Sequence, residues 1–471
     1  MKKKLCALAL ALVTAFACTP FTACGKKEDE SHTIRFYHTM GSNLTDVLNI
    51  YVKEFESMYP GWKIDHKQVG SYDDVKSTIS KEINVGKQPD MAYCYPDHVA
   101  FYNITGSVRT LDDYINSTEQ TTYTVTNDDG TTETVTDIVG LTQAQIDDFI
   151  PGYYEEGKEF GDGKMYTMPF SKSTEVLYYN KTFFTKNNIQ VPTTWDEMEE
   201  VCKKIKEIDK DSIPLGYDSE ANWFITMTEQ LGSAYTSATK PYYLFNNETN
   251  KDFVKKFNGW YSKGYVTTQE IYGKYTSGLF VAQTGTRSYM SIGSSAGATH
   301  QRPDKVDNSY PFEVGIATIP QVDSTNPKAI SQGPSICIFK NKKYPEKEKM
   351  TWLFLKYLTT SADFQAEFSL ASGYVPVLKS VAEHPAYTAE FAKLDAAKGA
   401  DVNTYIAALS ARICMGQTDA YYVSPAFPGS SKARDEVGAL LQKLLVSKNI
   451  DSEIDKVFND AIYNCEFQYN D

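Results

Sequence analysis

The sequence predicts an α/β fold split into two lobes, and three observations carry that prediction. The chain has 471 residues, more than one hydrophobic core organises. Its first hundred residues after the leader alternate short β-branched and aromatic runs with segments of 3.6-residue apolar period. The alternation resumes after an irregular insert, with further strands at 175–179, near 289–295 and in "YPFEVGIATIP", and further helices between and after them.

The leader comes first. Lys2, Lys3 and Lys4 precede an apolar run from Leu5 to Phe21, the pattern of an export signal. That run is short for a bilayer span of about 20 residues. Phe21-Thr22-Ala23-Cys24-Gly25 resembles the bacterial lipoprotein cleavage box, which implies a signal peptide over 1–23, cleavage before Cys24 and diacylation of its thiol. A long acyl chain supplies membrane affinity of about 0.8 kcal/mol per buried CH₂. The polar, charged stretch that follows, over 24–30, reads as a short tether.

The mature chain opens with Thr33-Ile34-Arg35-Phe36-Tyr37 as a strand, running into a loop in which Ser42 or Asn43 would cap a helix. Leu44, Val47, Leu48, Tyr51, Val52 and Phe55 form the apolar face of that helix. "YPGWKIDHKQV" turns into a second strand, a helix begins near Asp73, and "GKQPDMAYCYPD" gives a third strand. Ligands of open α/β sheets lie beyond the carboxyl ends of the strands, which gathers 38–42, 70–72 and 95–98 on one rim. "TTYTVTNDDGTTETVTDIV" reads as a β-hairpin turning at Asp-Gly. Met165 to Pro169 is extended, and 175–179 is a buried strand. Thr193 or Thr194 caps the helix of "WDEMEEVCKKIKE". "AISQGPSICIFK" reads as one strand with glycine and proline at its centre. Two helices follow, the second starting at Ser361, and the chain ends in helices.

Composition narrows the function. Loss of Lys2, Lys3 and Lys4 leaves 44 basic against 60 acidic residues, a net −16, with no basic cluster of the kind nucleic acid requires. Cys94, Cys202, Cys337, Cys414 and Cys465 include no C-x-x-C pair, so no disulfide framework is indicated, although one bridge is compatible with export. The six histidines form no H-E-x-x-H pair, and neither a G-x-S-x-G elbow nor a phosphate-cradling G-x-x-x-x-G-K loop occurs. A glycosidase needs two carboxylates across a sugar ring, and Glu175 with Asp97 stays open as such a pair. No enzyme and no cofactor are expected. A two-lobed exported protein can instead hold a solute between its lobes. Polyols suit this, because hydroxyls hydrogen-bond to carboxylates, amides and helix N-termini while C–H faces lie on aromatic rings. The rim offers Tyr37, His38, Tyr72, Tyr95, Asp97, Trp223, Tyr289 and Tyr374. Each taken singly also fits ordinary packing. Trp223, in a polar glycine-bounded stretch, and Tyr374, in a loop after a helix, stand out. Gly293-Ser294-Ser295 and Gln332-Gly333-Pro334-Ser335 can present backbone N–H groups, or can be tight turns that need glycine.

Spread along the chain, Phe36-Tyr37-His38-Thr39-Met40, "MPF" at 168–170 with "VLYYNK" at 176–181, Thr194-Trp195, Gly293-Ser294-Ser295, Gly333-Pro334-Ser335 and "SGYVPV" at 372–377 resemble, in order and spacing, the large extracellular solute-binding proteins of ABC transporters, the group of the maltose-binding and glycerol-phosphate-binding proteins. The resemblance implies a type II periplasmic-binding-protein fold with three interlobe crossovers, near 167–173, 331–334 and 395–401. Lobe 1 would hold 31–168 and 334–398, and lobe 2 169–333 and 399–471. It implies a monomer that closes by a hinge motion and docks on a membrane permease, with the transport ATPase on another chain. The motifs carry over His38, Ser173, Trp223, Ser294, Ser295, Gly333 and Tyr374 as ligand residues. The nearest motif match is to the glycerol-phosphate binders, yet the last approach to the cleft reads "YYVSPAFPGSSKAR". There Tyr421, Tyr422 and Phe427 dominate, and Lys432 and Arg434 are expected inside the next helix. A phosphate ester wants charge-assisted donors and an aromatic wall wants a neutral saccharide, so a sugar or oligosaccharide is the expected ligand, ahead of glycerol phosphate or its diesters. Replacing Trp223 by alanine is expected to abolish binding and spare the fold.

Overall fold

The computed structural model describes residues 29–127 and 129–467. The expected signal segment, Cys24 and most of the tether lie outside the described residues, as does Asp128 at the hairpin tip. In chain order the strands are β1 (Thr33–His38), β2 (Lys63–Gln68), β3 (Met91–Cys94), β4 (Gln120–Thr126), β5 (Thr132–Ile138), β6 (Thr167–Pro169), β7 (Glu175–Asn180), β8 (Leu215–Tyr217), β9 (Val266–Thr268), β10 (Met290–Ser294), β11 (Val314–Thr318), β12 (Ala329–Ile330), β13 (Ser335–Ile338) and β14 (Tyr421–Tyr422).

Ten of them form two five-stranded sheets, one per lobe, and the other four pair as β4-β5 and β12-β14. Lobe 1 has the order β2-β1-β3-β13-β6, with β1, β2 and β3 parallel and β13 antiparallel to both its neighbours. Lobe 2 has the order β11-β7-β10-β8-β9, with β8, β9 and β10 parallel and β7 antiparallel to β10 and β11. The central parallel strands are largely apolar and buried, as in sheets covered on both faces, whereas the edge strand β2 (KIDHKQ) is mostly exposed. Ile34, Phe36, Met91 and Ile336 are sealed in lobe 1, and Leu215, Met290 and Ile292 in lobe 2. β4 and β5 make the expected hairpin, turned by Gly130 at φ +80°.

The chain passes from the first sheet to the second between β6 and β7 and returns between β12 and β13. The expected single strand over "AISQGPSICIFK" is thus two strands in different sheets. Gly333 breaks it: its φ is +89°, and a Cβ there would lie 2.5 Å from the Ser171 carbonyl oxygen. A third passage follows the helix Pro385–Ala396, which packs on lobe 1's helix Ala362–Ser372. The next helix, Ile406–Met415, lies on β11 and the turn Ser295–Gln301 of lobe 2. β14 then pairs with β12 beside the second passage. Helix starts follow local chemistry. Thr194 and Glu197 form a reciprocal cap for Trp195–Ile208, and Ser361 caps Ala362–Ser372. The helix Ser42–Met58 departs from expectation, since Gly41 precedes it and no side chain caps it; Asn43 donates instead to the Ala371 carbonyl.

Candidate ligand-binding cleft

The carboxyl ends of the parallel strands in both sheets face one gap. On lobe 1, Ser71 and Asp74 bond reciprocally, Asp74 N–H to Ser71 Oγ at 3.2 Å and Ser71 N–H to Asp74 Oδ2 at 2.8 Å. This fixes the first turn of Tyr72–Ile83 and puts Tyr72 on the rim. Tyr95 follows β3 and precedes the helix Pro96–Tyr102, so its ring projects from the strand end. The Tyr72 and Tyr95 rings lie 4.6 Å apart, and Tyr93 runs parallel to Tyr72 behind them at 6.5 Å. Gly373 at φ +74° ends the helix Ala362–Ser372 and turns Tyr374 against the Tyr72 hydroxyl. Burial first, then neighbouring tyrosines, push the Tyr72 phenol well above its ordinary value.

On lobe 2 a relay runs from the core to the gap. Glu175 is fully buried; it accepts from Tyr217 Oη at 2.6 Å and from Asn222 Nδ2 at 3.0 Å. Arg434 in turn donates to Asn222 Oδ1. Desolvation outweighs these bonds and pushes the Glu175 carboxyl up to about 7. Ser219, at φ +109°, starts the helix Glu220–Gln230 and accepts from Asn222 N–H at 3.2 Å. A non-glycine residue in that region costs of order 1–3 kcal/mol, and here it lies beside the cleft.

Between the lobes is a cavity of about 120 Å³. Tyr95, Pro96 and Asp97 wall it from lobe 1, Ile225, Tyr235 and Arg434 from lobe 2, and Ser331 and Gln332 from the second passage. Ser331 Oγ is buried and has no hydrogen-bond partner among the described residues. Asp97 and Arg434 give the cavity one charge of each sign, and Glu156, which also reaches it, is neutralised by Lys172. That pair is sealed, at 3% and 0% side-chain exposure. Lys172 also donates to Ser335 Oγ at 2.9 Å and to the Gly333 carbonyl at 3.3 Å, joining the first two passages around one cation. The lobes touch across the mouth, where Lys76 Nζ lies 3.0 Å from Ser431 Oγ.

The structure brings Tyr95 and Asp97 to the cavity wall, with Tyr72 beside the Tyr95 ring and Tyr374 beside both tyrosines. Ser173 and Gly333 stand in the passages behind the cavity, Ser173 exchanging both backbone bonds with Gln332 at 2.8 Å. Ser294 ends β10 and Ser295 opens the turn after it, where Ser295 Oγ accepts from Thr174 N–H at 3.1 Å and is committed to the backbone. The other expected ligand residues lie elsewhere. Trp223 is 0% exposed; it stacks 4.8 Å from Tyr217 and 4.1 Å from Phe257 on the inner face of a helix, in a stretch that reads as polar only when the period is missed. Tyr37 points to the other face of β1 and donates to Glu82. His38 is sealed behind the tyrosines, Nε2 at 3.0 Å from His66 Nδ1, and burial with His66 holds it down to about 3. Tyr289 is at the opposite end of β10, stacked 3.8 Å from Phe183 and bonded to Asp209. Tyr421 stacks on Tyr153 at 5.0 Å, and Phe427 on Tyr242 at 5.1 Å. Sequence reasoning missed Tyr235, Ser331 and the exposed end of Arg434. Arg434 lies one turn into the helix Ser430–Leu445, and the N-terminal turn of a helix aimed at a strand-end gap was the available signal.

The family model of the bacterial extracellular solute-binding proteins matches residues 51–395. The sn-glycerol-3-phosphate-binding periplasmic protein UgpB of Salmonella paratyphi A is 24% identical over 382 residues, 79% of this chain and 80% of that protein. UgpB of Escherichia coli O1:K1 is 23% identical over 384 residues, with the same coverage. Among solved structures, UgpB from Mycobacterium tuberculosis in complex with glycerophosphocholine superposes with TM-score 0.68 at 16% identity, covering 93% of this chain and 98% of that one. The cyclic α-maltosyl-1,6-maltose binding protein of Arthrobacter globiformis superposes with TM-score 0.67 at 18% identity, covering 92% and 99%.

Proposed function

The chain belongs to the bacterial extracellular solute-binding proteins, and from that premise we propose that it captures a neutral carbohydrate between its lobes and hands it to an ABC transporter permease without chemical change. The observation that carries this reading is the cavity itself. Tyr95 and Tyr235 flank a buried hydroxyl, unpartnered among the described residues, and one carboxylate matched by one guanidinium. A sugar lays C–H groups on Tyr95 while its hydroxyls bond to Asp97, Arg434 and Ser331. The solved relatives named for maltosyl sugars share the fold and support the class. Lobe 1 is 31–168 with 334–398 and lobe 2 is 169–333 with 399–471. Cys24 carries the lipid that holds the exported monomer at the outer face of the membrane. No covalent step is assigned to Glu175 and Asp97, because Glu175 is enclosed by Tyr217 and Asn222.

Arg434 favours a second reading, since a guanidinium in the cleft is what a glycerol phosphate or phosphodiester would use, and the UgpB relatives are named for such a ligand. Asp97 in the same cavity opposes a dianion. A thermal-shift screen with mono-, di- and oligosaccharides, sn-glycerol-3-phosphate and glycerophosphocholine decides between them. A ligand held only by the folded state raises Tm saturably. We expect a neutral saccharide to do so; shifts confined to the phosphate compounds move the assignment to the second reading.

A further inference from the structure

A second concavity is at the other end of lobe 1. It encloses about 840 Å³ where β1 and β3 begin and β13 ends, so the whole length of the sheet separates it from the cleft. Arg35, Lys87, Lys340, Lys342, Lys343 and Lys347 line it, against Glu30, Asp65 and Asp90, a local net of +3 on a chain whose net charge is −13. Two of these cations are engaged inside the protein. Lys347 is sealed against Asp90 at 2.7 Å, and Arg35 donates to the Gln88 carbonyl. Lys340 Nζ rests 2.8 Å from the Gly106 carbonyl oxygen and forms no ion pair among the described residues. Lys343 meets Glu30 at 3.8 Å with both side chains more than 70% exposed, a contact of little energetic weight. Lys87 and Lys342 form no ion pair among the described residues.

We propose that this lysine-lined hollow seats on the anionic headgroups of the bilayer to which the protein is anchored. The inference rests on the reading of Cys24 as the lipidated residue. Glu30 lines the hollow, six residues after Cys24, and an extended chain spans at most about 3.3–3.6 Å per residue, so the hollow stays within roughly 20 Å of the membrane surface. Attachment brings the patch to an effective concentration in the millimolar range, where weak affinity suffices. A lysine near an anionic surface is worth about a fivefold change in partition. The strongly acidic remainder of the molecule is repelled from the same surface, which orients the protein with its base down and its cleft toward incoming solute.

The test uses the unacylated chain from residue 25, which retains every described residue, with vesicles of phosphatidylcholine alone or with half phosphatidylglycerol. We expect at least fivefold greater co-sedimentation with the anionic vesicles at low salt, suppressed by 0.5 M NaCl. The combined Lys87→Gln, Lys342→Gln and Lys343→Gln variant should lose most of that excess with an unchanged Tm. Equal partition on the two vesicles, or full binding by the triple variant, overturns the proposal. So does displacement by 10 mM inorganic phosphate at constant ionic strength, which would mark a small-anion site rather than a lipid surface. The anchor is read separately: Cys24→Ala should release the protein from cells, and its retention would overturn the anchor while leaving the vesicle result to decide the patch.

Discussion

Glu175 shows how a single buried group sets the chemistry of a wall it does not touch. Held near 7 by burial, it keeps a proton that an unfolded carboxyl, with its ordinary value of 4.5, has released. Between about pH 4.5 and 7 the folded state therefore binds one more proton than the unfolded chain, and stability falls as pH rises through that window, by of order 3 kcal/mol in all. His38 acts in the opposite sense, because a neutral imidazole held at about 3 makes stability fall as pH drops below 6.5. The two slopes oppose each other between 4.5 and 6.5, so the wild-type curve hides both. Glu175→Gln mimics the protonated acid. Its Tm advantage over wild type should grow from pH 4.5 to 7, and parallel curves by calorimetry would refute the assignment. Trp223→Ala belongs to the same scale with a different outcome from the one its sequence context suggests. Removing an indole packed at 4.1 Å on Phe257 should cost about 3–5 kcal/mol of stability. Denaturant unfolding shows whether lost binding in that variant reflects lost fold.

Among the elements, the passages between lobes carry the most concentrated design. Lys172 ties 170–174 to 333–335 through Glu156, Ser335 and Gly333, beside the backbone bonds from Phe170 and Ser171 to the Pro334 carbonyl. Breaking a buried pair by deleting one partner costs about 3–5 kcal/mol, because the other charge is left unpaired, while replacing both is far milder. Lys172→Met should thus destabilise strongly, and Lys172→Met with Glu156→Gln should recover most of the loss; a double variant no better than the single would remove the pair from the account. Much at this scale was legible. The caps at Thr194 and Ser361, the hairpin and the three parallel strands of lobe 1 follow from local spacing. What failed was non-local. Nothing within "AISQGPSICIFK" says that Ile330 and Ser335 serve different sheets, because that depends on strands more than a hundred residues earlier. Trp223 and Tyr289 looked available because neighbouring residues are polar, whereas the partners that bury them, Phe257 and Phe183, come from separate elements. The placement of Tyr95, Tyr72 and Tyr374 close together was easier to read, because they stand just after a strand end, at a helix start and just after a helix end that the pattern marks.

At the scale of the whole molecule, a gap of about 120 Å³ is smaller than the roughly 300–1,000 Å³ of typical ligand pockets, so solute entry requires the lobes to part. Lys76 and Ser431 hold the mouth at 3.0 Å. Losing one such bond, worth about 1 kcal/mol, shifts the open-to-closed ratio about fivefold. Lys76→Ala should therefore enlarge the unliganded radius of gyration in small-angle scattering, and saturating solute should restore the compact form. An unchanged scattering curve would mean that the contact does not govern closure. The central claim, that tyrosine-walled lobes shut on an uncharged sugar, is tested most directly by calorimetric titration of the best saccharide from the screen into wild type and Tyr95→Ala. Saturable one-to-one binding that weakens about tenfold in the variant is the predicted result. Equal affinity in the two proteins would contradict it.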